Sequence, residues 1–149
     1  MTPLFNRRKM AYDPTINTQF DGTKKLIYVF NIDGSKDGTA GTSVINVSDL
    51  AKTKINQSCN RISLNKVWYN ISTTSPLDGA KLQWENSGGD ETFLTLIGYD
   101  DYDFSSIGGL VNPNTGGNAN GDVNIVIPTH TAGDTYSIVT EWIKYYATA

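Results

Sequence analysis

Gly133-Asp134-Thr135-Tyr136-Ser137-Ile138-Val139-Thr140-Glu141-Trp142-Ile143-Lys144-Tyr145-Tyr146-Ala147 is the stretch whose alternation decides the fold. Side chains of a strand point to opposite faces in turn, so Tyr136, Ile138, Thr140, Trp142 and Lys144 fall on one side. Ser137, Val139, Glu141, Ile143 and Tyr145 fall on the other. β-Branched and aromatic residues dominate, and an Ala-Gly-Asp turn precedes them, which suits a pleated, half-buried surface. Bulky groups stand on both faces of this closing strand, so something beyond the chain's own core is expected to cover part of it. Trp142, Tyr145 and Tyr146 are its candidates for contact with a partner.

Working outward, turn signals separate several further strands. Lys24–Ile32 is nearly continuously apolar. A Gly/Asp/Ser turn over Asp33–Thr42 leads to Ser43–Val47, and Ser48–Lys52 is expected to form one short helical turn capped by Ser48. Asn60–Ile71 places Ile62, Leu64 and Trp68 on one side and Arg61, Ser63, Asn65 and Tyr69 on the other, with Lys66 and Val67 breaking the pattern. Ala80–Glu85 and Thr92–Gly98 follow between glycine-rich turns. Asp100–Gly109 reads as a loop or short edge, and Gly121–Pro128 sets Val123, Ile125 and Ile127 on one face. About eight short strands spaced by turns predict an all-β sandwich, and the long connections favour a jelly roll over a meander. Residues 1–22 show no period and carry two prolines, so they are expected to be an extended N-terminal arm beside a sandwich domain over 23–149.

Composition agrees. At 149 residues the chain fits one domain, able to bury roughly 70% of its unfolded surface. Asparagine, threonine and glycine are abundant, which disfavours helices. The net charge is −3, and the only basic cluster is Arg7-Arg8-Lys9, too short for an extended phosphate-binding patch, so nucleic acid is not an expected partner. No apolar run approaches the roughly 20 residues of a membrane-spanning helix. The start lacks a hydrophobic signal region. Export by a cleaved leader is therefore not expected, and the Asn-x-Ser sequons at Asn46, Asn56 and Asn70 read as chance. Cys59, the single cysteine, reads as a small buried hydrophobe.

Signals for chemistry are weak. His130, the only histidine, lies in a Pro-Thr-His-Thr-Ala-Gly turn with no nucleophile elbow, and is expected at the surface. Asp33-Gly34-Ser35-Lys36-Asp37-Gly38 imitates the opening of a calcium loop, but Val44 stands where the bidentate glutamate belongs, so a hairpin turn is expected. Asp100, Asp101 and Asp103 are the densest acidic cluster and read as solvated. Glu85 and Glu141, each beside a tryptophan, are the candidate pair for glycoside hydrolysis, set against core or interface packing of Trp84 and Trp142. Ile107–Asp122 is glycine-rich but lacks the Gly-Lys-Ser/Thr of a phosphate cradle, and reads as a long rim loop. No cofactor is expected.

Three runs carry a family resemblance: Cys59-Asn60-Arg61-Ile62-Ser63-Leu64-Asn65-Lys66-Val67-Trp68-Tyr69, Asp103-Phe104-Ser105-Ser106-Ile107-Gly108-Gly109-Leu110-Val111-Asn112-Pro113 and Gly133-Asp134-Thr135-Tyr136-Ser137-Ile138-Val139. They resemble virion structural proteins of marine tailed phages, including cyanophages, of the head decoration (cement) type. The likeness runs from about Leu26 to Tyr146. It implies a non-enzymatic β-sandwich on the outer surface of a capsid, often trimeric, that clamps neighbouring major capsid protein subunits; it supplies no catalytic residues. In that setting the arm would offer Phe5, Tyr12 and Phe20 as anchors, and Arg7, Arg8 and Lys9 to acidic capsid loops. A tail or fibre module that binds a host receptor or glycan is the alternative, and a hydrolase comes third.

Overall fold

A computed structural model describes residues 12–34, 37–74, 79–113 and 119–146. It contains nine strands: β1 (Thr15–Asp21), β2 (Lys25–Ile32), β3 (Gly41–Ile45), β4 (Cys59–Ser72), β5 (Ala80–Asn86), β6 (Glu91–Leu96), β7 (Tyr99–Asp103), β8 (Ala119–Ile127) and β9 (Thr135–Tyr146). The chain is an all-β sandwich of two antiparallel sheets, one ordered β1-β2-β9-β4-β7 and the other β3-β8-β5-β6. Pairing is nested. β2 lies against β9, β3 against β8, β4 against β7 and β5 against β6. Every connection from β2 to β9 changes sheet except the β5–β6 hairpin.

The closing strand alternates as its sequence predicts. Tyr136, Ile138, Thr140, Trp142 and Lys144 are all buried, while Ser137, Val139, Ile143 and Tyr145 stay at least partly exposed. Centred in the five-stranded sheet, β9 pairs with both β2 and β4. Its inward side chains meet Leu26, Phe30, Leu64 and Val67, with Leu82, Ile125 and Ile127 in the same core. Val123, Ile125 and Ile127 are buried together, as expected for one face of β8. Cys59 is likewise buried.

Several expectations change. In β4 the register slips between Leu64 and Lys66, so Asn65 is an extra residue facing β9. A bulge of this kind reverses which residues point inward. Ile62 and Leu64 face the core before it, and Val67, Tyr69 and Ile71 after it; Trp68 therefore points out, not in with Leu64. The turn expected at Ser48–Lys52 is a 3-10 turn over Val47–Asp49 whose N-cap is Asn46, without a side-chain cap bond. Its first N–H goes instead to Asp122 Oδ1, at 2.9 Å. The segment after β2 is no hairpin: β2 and β3 lie in different sheets, and residues 35 and 36 of the calcium-like stretch lie outside the described residues. Asp100, Asp101 and Asp103 lie on a true edge strand, β7.

The extended N-terminal segment divides. Residues 1–11 lie outside the described residues, but Thr15–Asp21 forms β1, hydrogen-bonded antiparallel to β2 in the chain's own sheet. Free of proline between Pro14 and the end of β1, this stretch can extend and complete an edge. His130 is not a surface histidine. It is 4% exposed, forms an isolated bridge with Gly38, and packs its ring edge-on against Tyr136. Beside it the fully buried Asp134 accepts N–H bonds from Thr74 and Thr131, tying the turn before β9 to the end of β4. No helix among the described residues is long and apolar enough to cross a membrane.

Candidate docking surface

The two outward faces of the sandwich differ in chemistry. On the four-stranded sheet the outward positions are Thr42, Val44, Lys81, Gln83, Thr95, Asn124 and Val126, a mainly polar set. On the five-stranded sheet, register aligns Trp68, Val139 and Val29 on β4, β9 and β2 as one cross-strand row. The next row brings Ile27 beside Phe20, and Ile143 lies one step further along β9. Antiparallel sheets in water commonly keep one face polar. Here the outer face of the smaller sheet is mainly polar, and on the larger sheet the apolar row lies between polar positions, Asn70, Ser137 and Asn31 on one side and Lys66 and Glu141 on the other.

Trp68 is 42% exposed and Phe20 53% exposed. Phe20 reaches this face because the β1–β2 register shifts between Thr18 and Phe20. Two bulges, one on each side of the sheet, therefore turn aromatic rings outward. At the β7 end, Tyr99 is 81% exposed and pairs across from Asn70, while Asp101 pairs across from Trp68. These residues with Asp100, Ser137 and Val139 line an open groove of about 710 Å³. Its floor is Tyr69. Burial, then Tyr102 and the nearby Asp100 carboxylate, hold the Tyr69 phenol well above its ordinary value, so it stays a neutral donor.

Next to this groove lies a buried polar cluster. The bulged Asn65 donates its Nδ2–H to Glu141 Oε2 at 2.6 Å, and Ser63 is fully buried beside it. The chain after β7 closes over this spot: Phe104 N–H donates to the Asn65 carbonyl, and Leu64 and Leu110 exchange two backbone bonds. Glu141 is thus a structural acceptor. Glu85 lies on β5 in the other sheet, beside Asp122, so the two glutamates considered for hydrolysis belong to different sheets. Among the described residues no three His, Cys, Asp or Glu side chains are placed to hold a metal ion.

Of the nine residues expected to meet a partner, the structure brings Phe20 and Tyr145 onto the apolar face. Tyr145 is half-buried there beneath the Arg61 guanidinium, which lies 4.4 Å from its ring centre. Trp142 is a correction: it is 0% exposed, with its Nε1–H donated to Thr140 Oγ1, and belongs to the core. Tyr146 donates its hydroxyl to the Thr23 carbonyl at 2.5 Å, anchoring the β1–β2 turn. Tyr12 packs its ring over Gly41 and shares a 2.6 Å hydrogen bond with Ser43 Oγ, which fastens the start of the first sheet to β3. Phe5, Arg7, Arg8 and Lys9 lie outside the described residues.

Sequence reasoning missed Trp68 and Tyr99. The signal for Trp68 was the break in alternation at Lys66 and Val67, which marks the bulge. No protein-family model matches the chain, and no curated protein matches it significantly.

Proposed function

We propose that this chain is a non-enzymatic virion structural protein, a capsid decoration (cement) protein that docks on the outside of a phage head and bridges major capsid subunits. The observation that carries this reading is the apolar row Trp68–Val139–Val29 on the outer face of the larger sheet, with Ile27, Phe20 and Ile143 beside it. Trp68 and Phe20 are exposed and Val29, Val139, Ile27 and Ile143 are partly so, and an exposed apolar patch rimmed by polar groups marks an interaction site. Rigid strands present it, so little side-chain or backbone freedom is lost on docking. The nested strand pairing supports the jelly-roll form of the sandwich, with β1 as an added edge strand.

The test is to mix the purified chain with heads that lack it and count copies bound per particle. Trp68→Ala should weaken binding by about thirtyfold, the loss of roughly 2 kcal/mol expected for a central aromatic anchor. A decoration protein binds in many copies per head; failure to bind heads at all would end this reading.

A second reading has its own support. Trp68, Tyr99, Asn70, Asp100 and Asp101 around one groove combine aromatic platforms with carboxylate and amide groups, the mix that fits a sugar. A tail or fibre module that binds a host glycan would show saturable quenching of tryptophan fluorescence with host polysaccharide, and only a few copies per particle.

A further inference from the structure

β7 ends the five-stranded sheet, and among the described residues its outer edge pairs with no strand. All five of its residues are exposed. An open edge is a template for another strand, and proteins commonly protect it with charge. Here the protection has one sign. Asp101 and Asp103 point to the outward face with Trp68 and Lys66, and Asp100 points to the opposite one, with Tyr69. Lys66 Nζ lies 4.0 Å from Asp103, whose carboxylate is still 57% exposed. Asp101 N–H is occupied by the Asp100 carboxylate, at 2.8 Å, and Ser105 N–H donates to Asp103 Oδ1, at 2.9 Å.

The sequence contains one segment of the complementary sign and spacing, Leu4-Phe5-Asn6-Arg7-Arg8-Lys9-Met10. Laid out as a strand, it puts Arg7 and Lys9 on one face and Arg8 on the other, matching two aspartates on one face of β7 and one on the other. Phe5 would lie beside the charges, as the exposed Tyr99 lies beside the aspartates. We propose that this segment of a second copy of the chain adds as a strand to the open edge of β7. The inference rests on the virion reading only for its setting.

Distance decides between the same chain and a neighbour. Tyr12 is held to Ser43 at the β1/β3 side of the sandwich. A strand added beyond β7 lies about 24 Å from β1, five inter-strand spacings of roughly 4.8 Å. Five fully extended residues from Tyr12 back to Arg7 span at most about 18 Å. The chain's own segment falls short, and a neighbour placed beside β7 supplies it. On docking, an incoming carbonyl takes the Asp101 N–H and releases the Asp100 carboxylate to a cation.

The test is a charge swap on the full chain, with self-association followed by sedimentation over a dilution series. D100K/D101K/D103K and R7E/R8E/K9E should each weaken association by roughly tenfold or more, and association should also fall with added salt. Mixing the two variants should restore it, since each then carries the complement of the other. Circular dichroism of each variant guards against loss of fold, and a single D101N variant should give a smaller shift in the same direction. A chain that stays monomeric, or variants that associate as before, or a mixture that does not recover, would each overturn the proposal. A monomer that still binds heads overturns this inference alone; a self-associating chain that ignores heads overturns the virion reading alone.

Discussion

Lys144 Nζ donates to Asp21 Oδ1 at 2.5 Å and so ties the end of β9 to the end of β1. The ammonium also donates to the carbonyls of Gly22 and Ala51, at 2.8 and 2.9 Å, so two separate segments, residues 21–22 and residue 51, converge on one buried cation. Its side chain is fully buried, while that of Asp21 is 22% exposed.

Removing this cation leaves a carboxylate and two carbonyls facing one another. Lys144→Met should cost about 3 kcal/mol, read from urea unfolding midpoints. A loss below about 0.5 kcal/mol would mean that the site behaves as an ordinary surface ion pair.

Acid should act through Asp134. Burial pushes its carboxyl up, but N–H and hydroxyl donors from Thr131 and Thr74 outweigh burial and hold it below the ordinary aspartate value. Its folded pKa is depressed, so its contribution is complete above the unfolded value of roughly 3.9 and is lost as pH falls through the folded one. Asp134→Asn should cost about 2 kcal/mol near neutrality. The gap between variant and unaltered chain should shrink below about pH 4, where the aspartate gains its proton. A gap independent of pH would assign the loss to shape, not charge.

The two tryptophans of the larger sheet should separate stability from docking. Trp142→Ala opens a void in the core and should cost about 3–5 kcal/mol. Trp68→Ala should change stability by less than about 1 kcal/mol while it weakens docking. Equal thermal shifts for the two variants would contradict their placement.

The Cys59 thiol is pushed up by burial, opposed in part by its bond to the Arg61 carbonyl, at 3.4 Å. An aromatic disulfide reagent should leave it untouched in the folded chain and label it at the rate of unfolding. Fast labelling under native conditions would show that the start of β4 opens by itself.

Gly121 takes φ +87°, and a Cβ there would stand 1.9 Å from the Asn60 carbonyl oxygen. Gly121→Ala combines a left-handed backbone with a backbone clash, and should cost at least about 2 kcal/mol in a thermal melt. An unchanged melting temperature would show that β4 and β8 can part at this point.

Much of the sandwich was readable because β8 alternates apolar with polar residues, β9 is rich in β-branched and aromatic residues, and β2 is a short, nearly continuous apolar run between turn signals. The face of Trp68 was not, because one inserted residue, Asn65, inverts every position beyond it, and a bulge has no composition of its own. Phe20 turned outward for the same reason. His130 was misplaced because a turn sequence carries no sign of the Gly38 segment that closes over it from far along the chain. Trp142 was read as an anchor on size alone; its alternation with Tyr136 and Ile138 already placed it inside. Which sheet would show an apolar outer face depended on pairing register, set only once β2, β9 and β4 lie side by side.

Because β9 is the middle strand of its sheet and joins β4 to β2, the latter more than a hundred residues before it, the larger sheet cannot assemble while the ribosome is still making residues 135–146. Until those residues emerge, β2 and β4 have no common neighbour, and their apolar faces are open to chaperones or to aggregation. Formation of the larger sheet therefore waits for its middle strand, and is slow by the standards of helical domains of similar size.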